Sequence, residues 1–582
     1  MSIKNTIIST LGADAKQTED QYQKDIGAYH IPRERFAEAA KAMKTAGARL
    51  VAEWATDETR YPLHPLPDGE RQGSHCCEAL QWEAVRGRGF GIYACYEKNG
   101  EYLIVKTYAP VEDPSFPSLT KKFIPAYRFE RQMKSLMGVI PAGHHDSRPW
   151  IKHEDWQEDV YPLRKSFDAS KAIPRIKGEY QWIKAEGEGV YEIPVGPVHA
   201  GIIEPGHFRF QAVGEDVINL EEKLGYVHKG IEKRFESLSW KDGARLAGRV
   251  SGDTTVAHSL AYCRAVESMT GCGPPERALW LRALFLERER IANHLGDIGA
   301  IANDAAFTFM LYQLTRLKES LLRTNYKLFA HRFMMDRVIP GGVSVDITQE
   351  GKDEILSEMS SLSEEFERLA VIYEENPSLD DRLRNTGVLT PDRAKDLCVV
   401  GFTARASGQE MDCRIRSPFP PYDRIIPKMT VLNSGDVHAR GWVRVEEIRD
   451  SIRIIREILN SLPEGELTTS PPFSKGGQGG VTLQPDKAGF AVVEGWRGEI
   501  VYWIQSGQMG GDKPPHLFLQ ESNYPKRALS TTEIGVGVNR CMVRDPSSVN
   551  WIALEEAIHG NIIPDFPLCN KSFNQSYSGN DL

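Results

Sequence analysis

Three stretches with helical periodicity, residues 274–300, 304–337 and 352–374, most constrain the fold of this chain. In the first, apolar residues recur at spacings of three and four from Leu281 to Ile298, which gives the helix one apolar face. Helices of this length with short connections bury such faces against one another. The second half of the chain is therefore predicted to be a helical bundle with small β-sheets at its edge.

The first of these helices also carries a charged stripe. Glu287, Arg290, His294 and Asp297 follow one another at spacings of 3, 4 and 3 residues. A polar stripe is usually a solvated face, whereas inside a bundle it would be a buried ionic network. The sequence leaves both alternatives open.

The first part of the chain has a different pattern. Residues 30–57 have apolar positions at helical spacing and predict an amphipathic helix. Residues 89–96 and 102–108 are rich in β-formers and flank Asn99-Gly100, which predicts a hairpin. An α/β domain is expected here, so the whole chain is assigned to the α+β class.

Length and charge narrow the function classes. A chain of 582 residues should split into at least two domains. The net charge of −9 provides no basic field, so nucleic acid is not an expected partner. Nine cysteines without a Cys-x-x-Cys pair indicate a reducing compartment and no iron–sulfur cluster in this chain. Because no signal peptide or transmembrane stretch is evident, a soluble or peripheral, cytoplasm-facing protein is expected.

A Gly/Pro-rich loop is predicted between two strands within residues 191–210. It contains His199, Glu204 and His207, each suited to proton transfer near neutral pH if burial tunes its pKa. The alternative is that these side chains only bond the backbone of their own loop.

Residues 467–481 form a Pro/Gly/Ser tract. Such a composition buries little apolar surface, so a flexible insertion is expected. A phosphate-binding loop is the alternative, but the tract lacks the flanking strand and helix and the Gly-Lys-Ser/Thr ending.

Residues 249–262 combine a turn with a helix start. Gly252-Asp253-Thr254 predicts a turn in which Asp or Thr caps a helix that continues to Met269. With its flanks, Gly225-Tyr-Val-His-Lys-Gly-Ile-Glu-Lys233 and Arg249-Val-Ser-Gly-Asp-Thr-Thr-Val-Ala-His258, this stretch resembles the large subunit of nickel–iron hydrogenases and the quinone-side large subunit of respiratory complex I.

In the hydrogenases, two cysteines of this segment and two near the C-terminus bind nickel. The resemblance places Ser251 and Thr254 at the first pair of positions, and Ser576 and Gly579 at the second. Nickel thiolate sites need soft, readily ionised sulfur, which hydroxyls and glycine do not provide. No nickel site is therefore expected, and an active hydrogenase is the least favoured interpretation.

Residues 116–131 and 161–167 are similar to the small complex I hydrophilic subunit, in which Glu130, Arg131 and Arg164 are expected on an interface or solvated face. The predicted organisation is a small-subunit-like domain at 1–172, a linker at 173–188 and a large-subunit-like domain at 189–582, with 467–481 inserted. The chain thus resembles fused complex I subunits, or a cysteine-less relative of the hydrogenase-four-type large subunit.

The resemblance also implies a site. In complex I the loop after the first strand presents a histidine to quinone, and in hydrogenases it presents a glutamate; here His199, Glu204, His207 and Asp253 are the candidates for acceptor or proton chemistry. Complex I also uses a tyrosine where this chain has Gly252. The residues expected to line the former metal cavity are Arg249, Arg497 and Asp581.

The expected function is that of a subunit of a membrane-associated, energy-converting oxidoreductase, with a quinone-type acceptor beside a partner's iron–sulfur cluster. Membrane subunits would complete the complex, and the chain would lie peripherally on the cytoplasmic face of the inner membrane. The alternative is a non-catalytic structural subunit. The NADH dehydrogenase family name implies NAD, but no Gly-x-Gly-x-x-Gly follows a predicted strand in this chain.

Overall fold

The structure is a computed structural model. It describes residues 2–18, 26–59, 89–152, 156–169, 171–200, 203–236, 238–271, 273–469, 486–508 and 536–582. The described residues up to Gln181 form one compact unit, and those from Trp182 form another. The domain bounds 1–172, 173–188 and 189–582 stay a prediction.

The N-terminal unit is built on a five-stranded sheet of order β1-β2-β5-β4-β3, in which β2 and β5 are parallel and the other neighbours antiparallel. Its elements are α1 (Ile3–Leu11), β1 (Lys16–Gln17), β2 (Ile26–His30), α2 (Phe36–Thr45), β3 (Arg49–Asp57), β4 (Gly89–Lys98), β5 (Glu101–Pro110), β6 (Ser115–Pro117), α3 (Ala126–Met137) and β7 (Ile140–Ala142). The predicted hairpin is confirmed, with Asn99 and Gly100 at φ 51° and 84° joining β4 to β5.

The single helix predicted for residues 30–57 is wrong in its second half. Helix α2 covers only Phe36–Thr45, because Gly47 adopts a φ of +79° and ends it. The chain then enters β3, which is buried along almost its whole length and packs against helix α3. The apolar residues at the start of β3 therefore belong to a strand that is covered on both faces. Helical spacing does not distinguish such a strand from a helix.

An acidic pair lies buried in this unit, on β3 and α3. Both carboxylate oxygens of Glu53 and the hydroxyl of Tyr96 have no hydrogen-bond partner among the described residues. Burial raises the pKa of Glu53 well above its ordinary value, and the neighbouring Glu130 raises it further. Burial also raises the pKa of Glu130, to about 7. The pair therefore retains a proton near neutral pH.

This burial corrects one expectation. Glu130 and Arg131 are not on a solvated face, since both are buried. Arg131 donates to the carbonyls of Arg148 and Pro149, and its guanidinium stacks on aromatic rings. Arg164 is half-buried and lies 4.2 Å from the Tyr161 ring centroid.

The C-terminal unit combines a helical bundle with small antiparallel sheets, as predicted for an α+β chain. Its first elements are β8 (Val190–Val195), β9 (His207–Val213), β10 (Asp216–Lys223), α4 (Ile231–Phe235), α5 (Trp240–Ala247), α6 (Thr255–Thr270), α7 (Glu276–Asp304), α8 (Thr308–Phe329), β11 (Val338–Ile339), β12 (Gly342–Val343), α9 (Gln349–Glu374) and α10 (Pro377–Leu383). The rest are α11 (Pro391–Asp396), α12 (Gly401–Ala406), α13 (Cys413–Arg416), α14 (Val437–Ser461), β13 (Ala488–Glu494), β14 (Glu499–Gln508), β15 (Val536–Arg544), α15 (Ser547–Ala557), α16 (Phe566–Phe573) and α17 (Tyr577–Asp581). Among the described residues, no helix is both long and apolar enough to cross a membrane.

Helix α7 is the centre of the bundle and packs against α8, α14 and α16. Its charged stripe is buried, so the ionic-network alternative holds. The contacts are Glu287–Arg414 (3.0 Å), Arg290–Glu447 (3.1 Å), His294–Glu447 (2.9 Å) and Asp297–Arg444 (3.2 Å). Buried charges are tolerated because they meet opposite charges or hydrogen-bond partners.

Two predicted boundaries in this unit are corrected. Helix α8 ends at Phe329, eight residues short of Arg337, since Ala330 adopts a φ of 56°. Thr468 bridges to Gly342, so residues 467–469 pack against the β12 region instead of belonging to a free loop. Residues 470–481 of the predicted insertion lie outside the described residues.

The acidic pair predicts a pH-dependent stability of the chain. A folded-state pKa above the ordinary glutamate value stabilises the fold at low pH, and this contribution is lost as the pH rises through the folded pKa, about 7 for Glu130. We expect Glu53→Gln to melt a few degrees higher than the unmodified chain at pH 9, with a smaller difference at pH 6. Calorimetric melting across this range tests it, with the exposed Glu112→Gln as control. A difference that does not change with pH would contradict the prediction.

Candidate functional site

Two segments far apart in the chain meet at the positions that resemble nickel ligands. The Ser251 Oγ lies 2.9 Å from the Ser576 Oγ, and both residues are buried. Ser576 occupies the N-cap position of α17 and accepts the Gly579 N–H at 2.9 Å. The turn before α6 and the N-cap of the C-terminal helix are thus joined by a direct hydrogen bond.

Arg497 and Asp253 form the charged centre of this cluster. Two guanidinium nitrogens of Arg497 donate to the two carboxylate oxygens of Asp253, at 2.7 and 2.6 Å. A third nitrogen, Nε, donates to the carbonyl of Asn574 at 2.6 Å. A planar guanidinium suits this bidentate geometry. Arg497 therefore holds the 251–254 turn and the C-terminal segment at the same time.

The hydroxyls of the turn complete the bonding of Asp253. Ser251 and Thr254 donate to the same carboxylate oxygen, at 2.8 and 2.9 Å. The Asp253 side chain remains 40% exposed on its other side. Burial would raise the pKa of Asp253, but Arg497 and the two hydroxyls outweigh it and hold that pKa well below its usual range. The carboxylate is therefore ionised at any physiological pH.

The helix that follows the turn starts where the sequence predicts, but its cap is different. Helix α6 begins at Thr255, and neither Asp253 nor Thr254 caps it with a side-chain hydrogen bond. Glu289, from α7, accepts the N–H groups of Val256 and Ala257 at 2.7 and 3.1 Å. Because Glu289 caps the helix, the turn's side chains are available to bind Arg497.

A second layer of buried polar residues lies behind the cluster. His258 Nε2 is 3.0 Å from the Asp545 Oδ2, and its Nδ1 is 3.1 Å from the Tyr502 hydroxyl. Asp545 also accepts the Ser547 N–H at 2.7 Å. His258 and Asp545 thus fix each other's orientation next to Gly579.

The residues at the four positions do not fit a nickel centre. The side chains there provide three neutral hydroxyls and no thiolate. Within the described parts of the chain, no group of three or more His, Cys, Asp or Glu could hold a metal ion. The hydroxyls instead bond to one another and to Asp253 and Arg497.

Two of the three loop candidates contact the C-terminal helix α17. The His199 Nε2 lies 3.3 Å from the Tyr577 hydroxyl. The Glu204 carboxylate accepts the Ser578 N–H at 3.0 Å. The structure thus brings these two residues to the helix whose N-cap, Ser576, contacts Ser251. His199 Nδ1 also lies 3.2 Å from the carbonyl of Pro197, within its own loop.

His207 is placed differently, at the first position of strand β9 and not in the loop. Its ring packs 4.4 Å from the Trp182 ring, and its Nε2 is buried with no hydrogen-bond partner among the described residues. Burial, and then Arg209 and Lys223, lower the pKa of His207 to about 4. It therefore stays neutral at pH 7.

The other two cavity candidates lie at different edges of the cluster. The Arg249 guanidinium is partly exposed and pairs with the Asp336 carboxylate, with Nη2 to Oδ2 at 2.9 Å. Asp581 is buried and accepts the Val227 N–H and the Asn580 side-chain amide. Burial raises the pKa of Asp581 to about 6, and Glu204 acts in the same direction.

The sequence reasoning missed several residues of the site. Trp496 donates from its indole nitrogen to the Asp253 carbonyl and the Thr254 hydroxyl, both at 3.1 Å. His258 and Asp545 lie inside segments that carry the resemblance, but the pattern assigns them no role. The signal that could have identified Trp496 is its position next to Arg497 in the sequence, because arginine side chains commonly stack on tryptophan rings. In the structure, the Arg497 Cζ lies 4.0 Å from the Trp496 ring centroid.

Two glycines of the site differ in the space around them. A Cβ built on Gly252 meets nothing within 4 Å, so the position of the complex I tyrosine is open. A Cβ on Gly579 would lie 2.6 Å from the Asp545 carboxyl carbon. Any side chain at 579 must therefore displace Asp545, which is bound to His258.

We expect this difference to appear in stability. Gly579→Ala should destabilise the chain by on the order of 1–3 kcal/mol through overpacking, despite the higher helix propensity of alanine. Gly252→Ala should change the melting temperature little, because the site is open and the φ of Gly252 is not positive. Thermal melting of both variants is the measurement, and equal stability would refute the steric argument.

Family comparisons cover most of the chain. Residues 29–172 match the family described as respiratory-chain NADH dehydrogenase, 30 Kd subunit. Residues 304–581 match the family described as respiratory-chain NADH dehydrogenase, 49 Kd subunit. The chain thus contains both subunit types in the predicted order.

Curated relatives include hydrogenase and complex I proteins. Formate hydrogenlyase subunit 5 of Escherichia coli K12 is 29% identical and aligns over 84% of this chain and 82% of its own length. The carbon monoxide-induced hydrogenase of Rhodospirillum rubrum is 30% identical over 67% of this chain and 98% of its own. An NADH-quinone oxidoreductase subunit of Bacteroides thetaiotaomicron is 28% identical over 75% and 83%.

A solved structure shares the fold. A chain of the membrane-bound sulfane sulfur reductase, an archaeal respiratory membrane complex, matches with a TM-score of 0.59 at 23% identity, over 69% of this chain and 100% of that one. The predicted resemblance is confirmed. The chain belongs to the family of fused 30 Kd- and 49 Kd-type complex I subunits, together with the related large subunits of membrane-bound hydrogenases.

Proposed function

We propose that this chain is a peripheral subunit of a membrane-associated, complex I-like oxidoreductase and that its 251–254 turn, Arg497 and C-terminal helix form an electron-acceptor site without nickel. The family consists of oxidoreductase subunits, which supports the general role. The observation that carries the specific proposal is the Arg497–Asp253 pair, at 2.6 Å, in place of a thiolate cluster.

The chemistry of the site favours a small polar acceptor of the quinone type. Reducing a quinone places negative charge on its oxygens, and a fixed guanidinium stabilises such charge without reorganising. Asp253 orients Arg497 and stays partly exposed, so a ligand can approach the pair from solvent. Electrons would come from an iron–sulfur cluster in a partner subunit, because this chain has no cysteine motif for one.

Protons for such a reduction can come from groups beside the C-terminal helix. Asp581, with a pKa of about 6, exchanges its proton near neutral pH. Glu204 is exposed, contacts the same helix through Ser578 and acts electrostatically on Asp581, which makes it suited to exchange protons between solvent and the buried acid. His199 contacts the neighbouring Tyr577. We assign these residues to proton supply and leave His207, which packs against Trp182, outside the site.

The proposed setting follows from the relatives. The solved relative is part of a respiratory membrane complex. We place the present chain on the cytoplasmic face of the inner membrane, held there by an iron–sulfur subunit and membrane subunits. We assign the use of NAD that the family name implies to another subunit of the complex.

A structural subunit without redox chemistry is the second candidate. It is favoured by the internal bonding at Ser251, Thr254 and Ser576, whose hydroxyls all have partners within the chain. Gly252, at the position of the complex I tyrosine, favours it as well.

The test is made on the complex purified through a tag on this chain from its native membrane. We expect far less than one nickel per chain by elemental analysis, and reoxidation of a reduced partner iron–sulfur cluster by a short-chain quinone. Arg497→Lys should slow this reoxidation at least about tenfold, because lysine cannot bind Asp253 in bidentate fashion. Stoichiometric nickel would overturn the proposal.

A matched control is Arg323→Lys, in an exposed pair with Glu319. It should leave the reoxidation unchanged. If quinone does not reoxidise the cluster even in the unmodified complex, the structural candidate replaces the acceptor site.

A further inference from the structure

The segment 225–231, which leads from β10 into the first residue of α4, holds the end of the C-terminal helix through its backbone. The N–H groups of Lys229 and Ile231 donate to the Leu582 carbonyl oxygen, at 3.1 and 3.0 Å. The Val227 N–H donates to the Asp581 carboxylate at 3.1 Å. His228 Nδ1 lies 2.6 Å from the Asp581 carbonyl oxygen. One short segment thus fixes the last two residues described.

The side chain of Lys229 extends from the same segment in the other direction. Its Nζ donates to the Val250 carbonyl at 2.9 Å and approaches the Arg249 carbonyl at 3.4 Å. These carbonyls immediately precede Ser251. Lys229 therefore contacts both halves of the cluster, the C-terminal helix through its backbone and the 251–254 turn through its ammonium group.

Carboxylates from three other segments act electrostatically on this ammonium group. Burial is the largest influence and lowers the pKa of Lys229, whereas Glu204, Asp581 and Asp545 act in the opposite direction. Arg234, on the neighbouring helix α4, adds to the lowering. These carboxylates and the two backbone carbonyls offset part of the hydration that the ammonium group loses at this place.

We propose that Lys229 is a positioning residue of the site, which sets the distance between the 251–254 turn and the C-terminal helix by binding both. In the hydrogenases that this chain resembles, a metal joins the corresponding segments. Here Ser251 and Ser576 touch directly on the inner side, and Lys229 joins the two segments from outside. This inference deepens the proposed function, but its structural part can be tested without it.

Hydrogen–deuterium exchange of the full chain is the first experiment, on peptides that cover residues 249–256 and 574–582. Lys229→Met removes the donor to the two carbonyls, and we expect exchange about tenfold faster or more in both peptides. Lys229→Arg retains charge and donors and should restore slow exchange. Lys233→Met is the matched control, since the Lys233 ammonium pairs with Glu236 at the end of helix α4, and it should leave both peptides unchanged.

The melting temperature separates positioning from a general structural role. Because Lys229→Met removes hydrogen bonds at one place only, we expect its melting temperature to change little and exchange in peptides remote from 249–256 and 574–582 to stay unchanged. A lowered melting temperature with faster exchange throughout the chain would overturn the proposal, and so would unchanged exchange in the two peptides.

Quinone reoxidation of the purified complex completes the test. Lys229→Met should raise the quinone KM more than it lowers kcat, because it changes the geometry of the site and not its reacting groups. An unchanged KM would contradict the positioning role. If the unmodified complex does not react with quinone, the proposed function fails, whereas the exchange result still decides the role of Lys229.

Discussion

The ion pair between Arg497 and Asp253 is the interaction on which the organisation of the site depends. A guanidinium in a buried position has to meet an opposite charge, and Asp253 provides both carboxylate oxygens, at 2.7 and 2.6 Å. Once Asp253 is held, Ser251 and Thr254 have an acceptor, and Ser251 is presented to Ser576. Removing Arg497 would leave a carboxylate without its countercharge and three hydroxyls without a common orientation. Charge and hydrogen bonding thus connect the two segments that a metal joins in the hydrogenases.

The bundle supplies the rigid frame that such a pair needs. Arg497 lies in the tight turn between β13 and β14, and Asn574, which accepts its third hydrogen bond, also donates to Asp297 at 2.8 Å. Asp297 belongs to the buried ionic network of α7, so the cluster is connected to the centre of the bundle. Buried networks of this kind add little net stability, because desolvation opposes the attraction. They specify one arrangement instead, since any shift leaves a charge unpaired.

The sequence predicts the large-scale features of this chain better than it predicts the site. Helical spacing identified α7, and Asn99-Gly100 identified the hairpin, because both signals are local. The burial of Glu287, Arg290 and His294 depends on neighbouring helices and could not be chosen from the sequence. Likewise, helical spacing at residues 30–57 extended α2 into β3, because a strand covered on both faces shows no alternation. Resemblance placed Ser251 and Ser576 together, but the capping of α6 by Glu289 and the role of Lys229 arise from contacts distant in sequence.

The space around Gly252 is open and the space around Gly579 is crowded. This difference helps to compare the site with the two types of relative, the quinone-side subunit of complex I and the nickel–iron hydrogenases. The Cβ of a tyrosine at 252 would meet no neighbouring atom within 4 Å. A cysteine at 579, by contrast, would require Asp545 to leave the position in which it binds His258. For the acceptor site proposed above, this difference favours the metal-free, quinone-side arrangement of complex I over a nickel site that has merely lost its sulfur atoms. In such an arrangement the site changes state by gaining or losing protons, and not by exchanging metal ligands. Asp581, whose pKa lies near 6 beside Glu204 and Lys229, is the residue through which pH would act on the site.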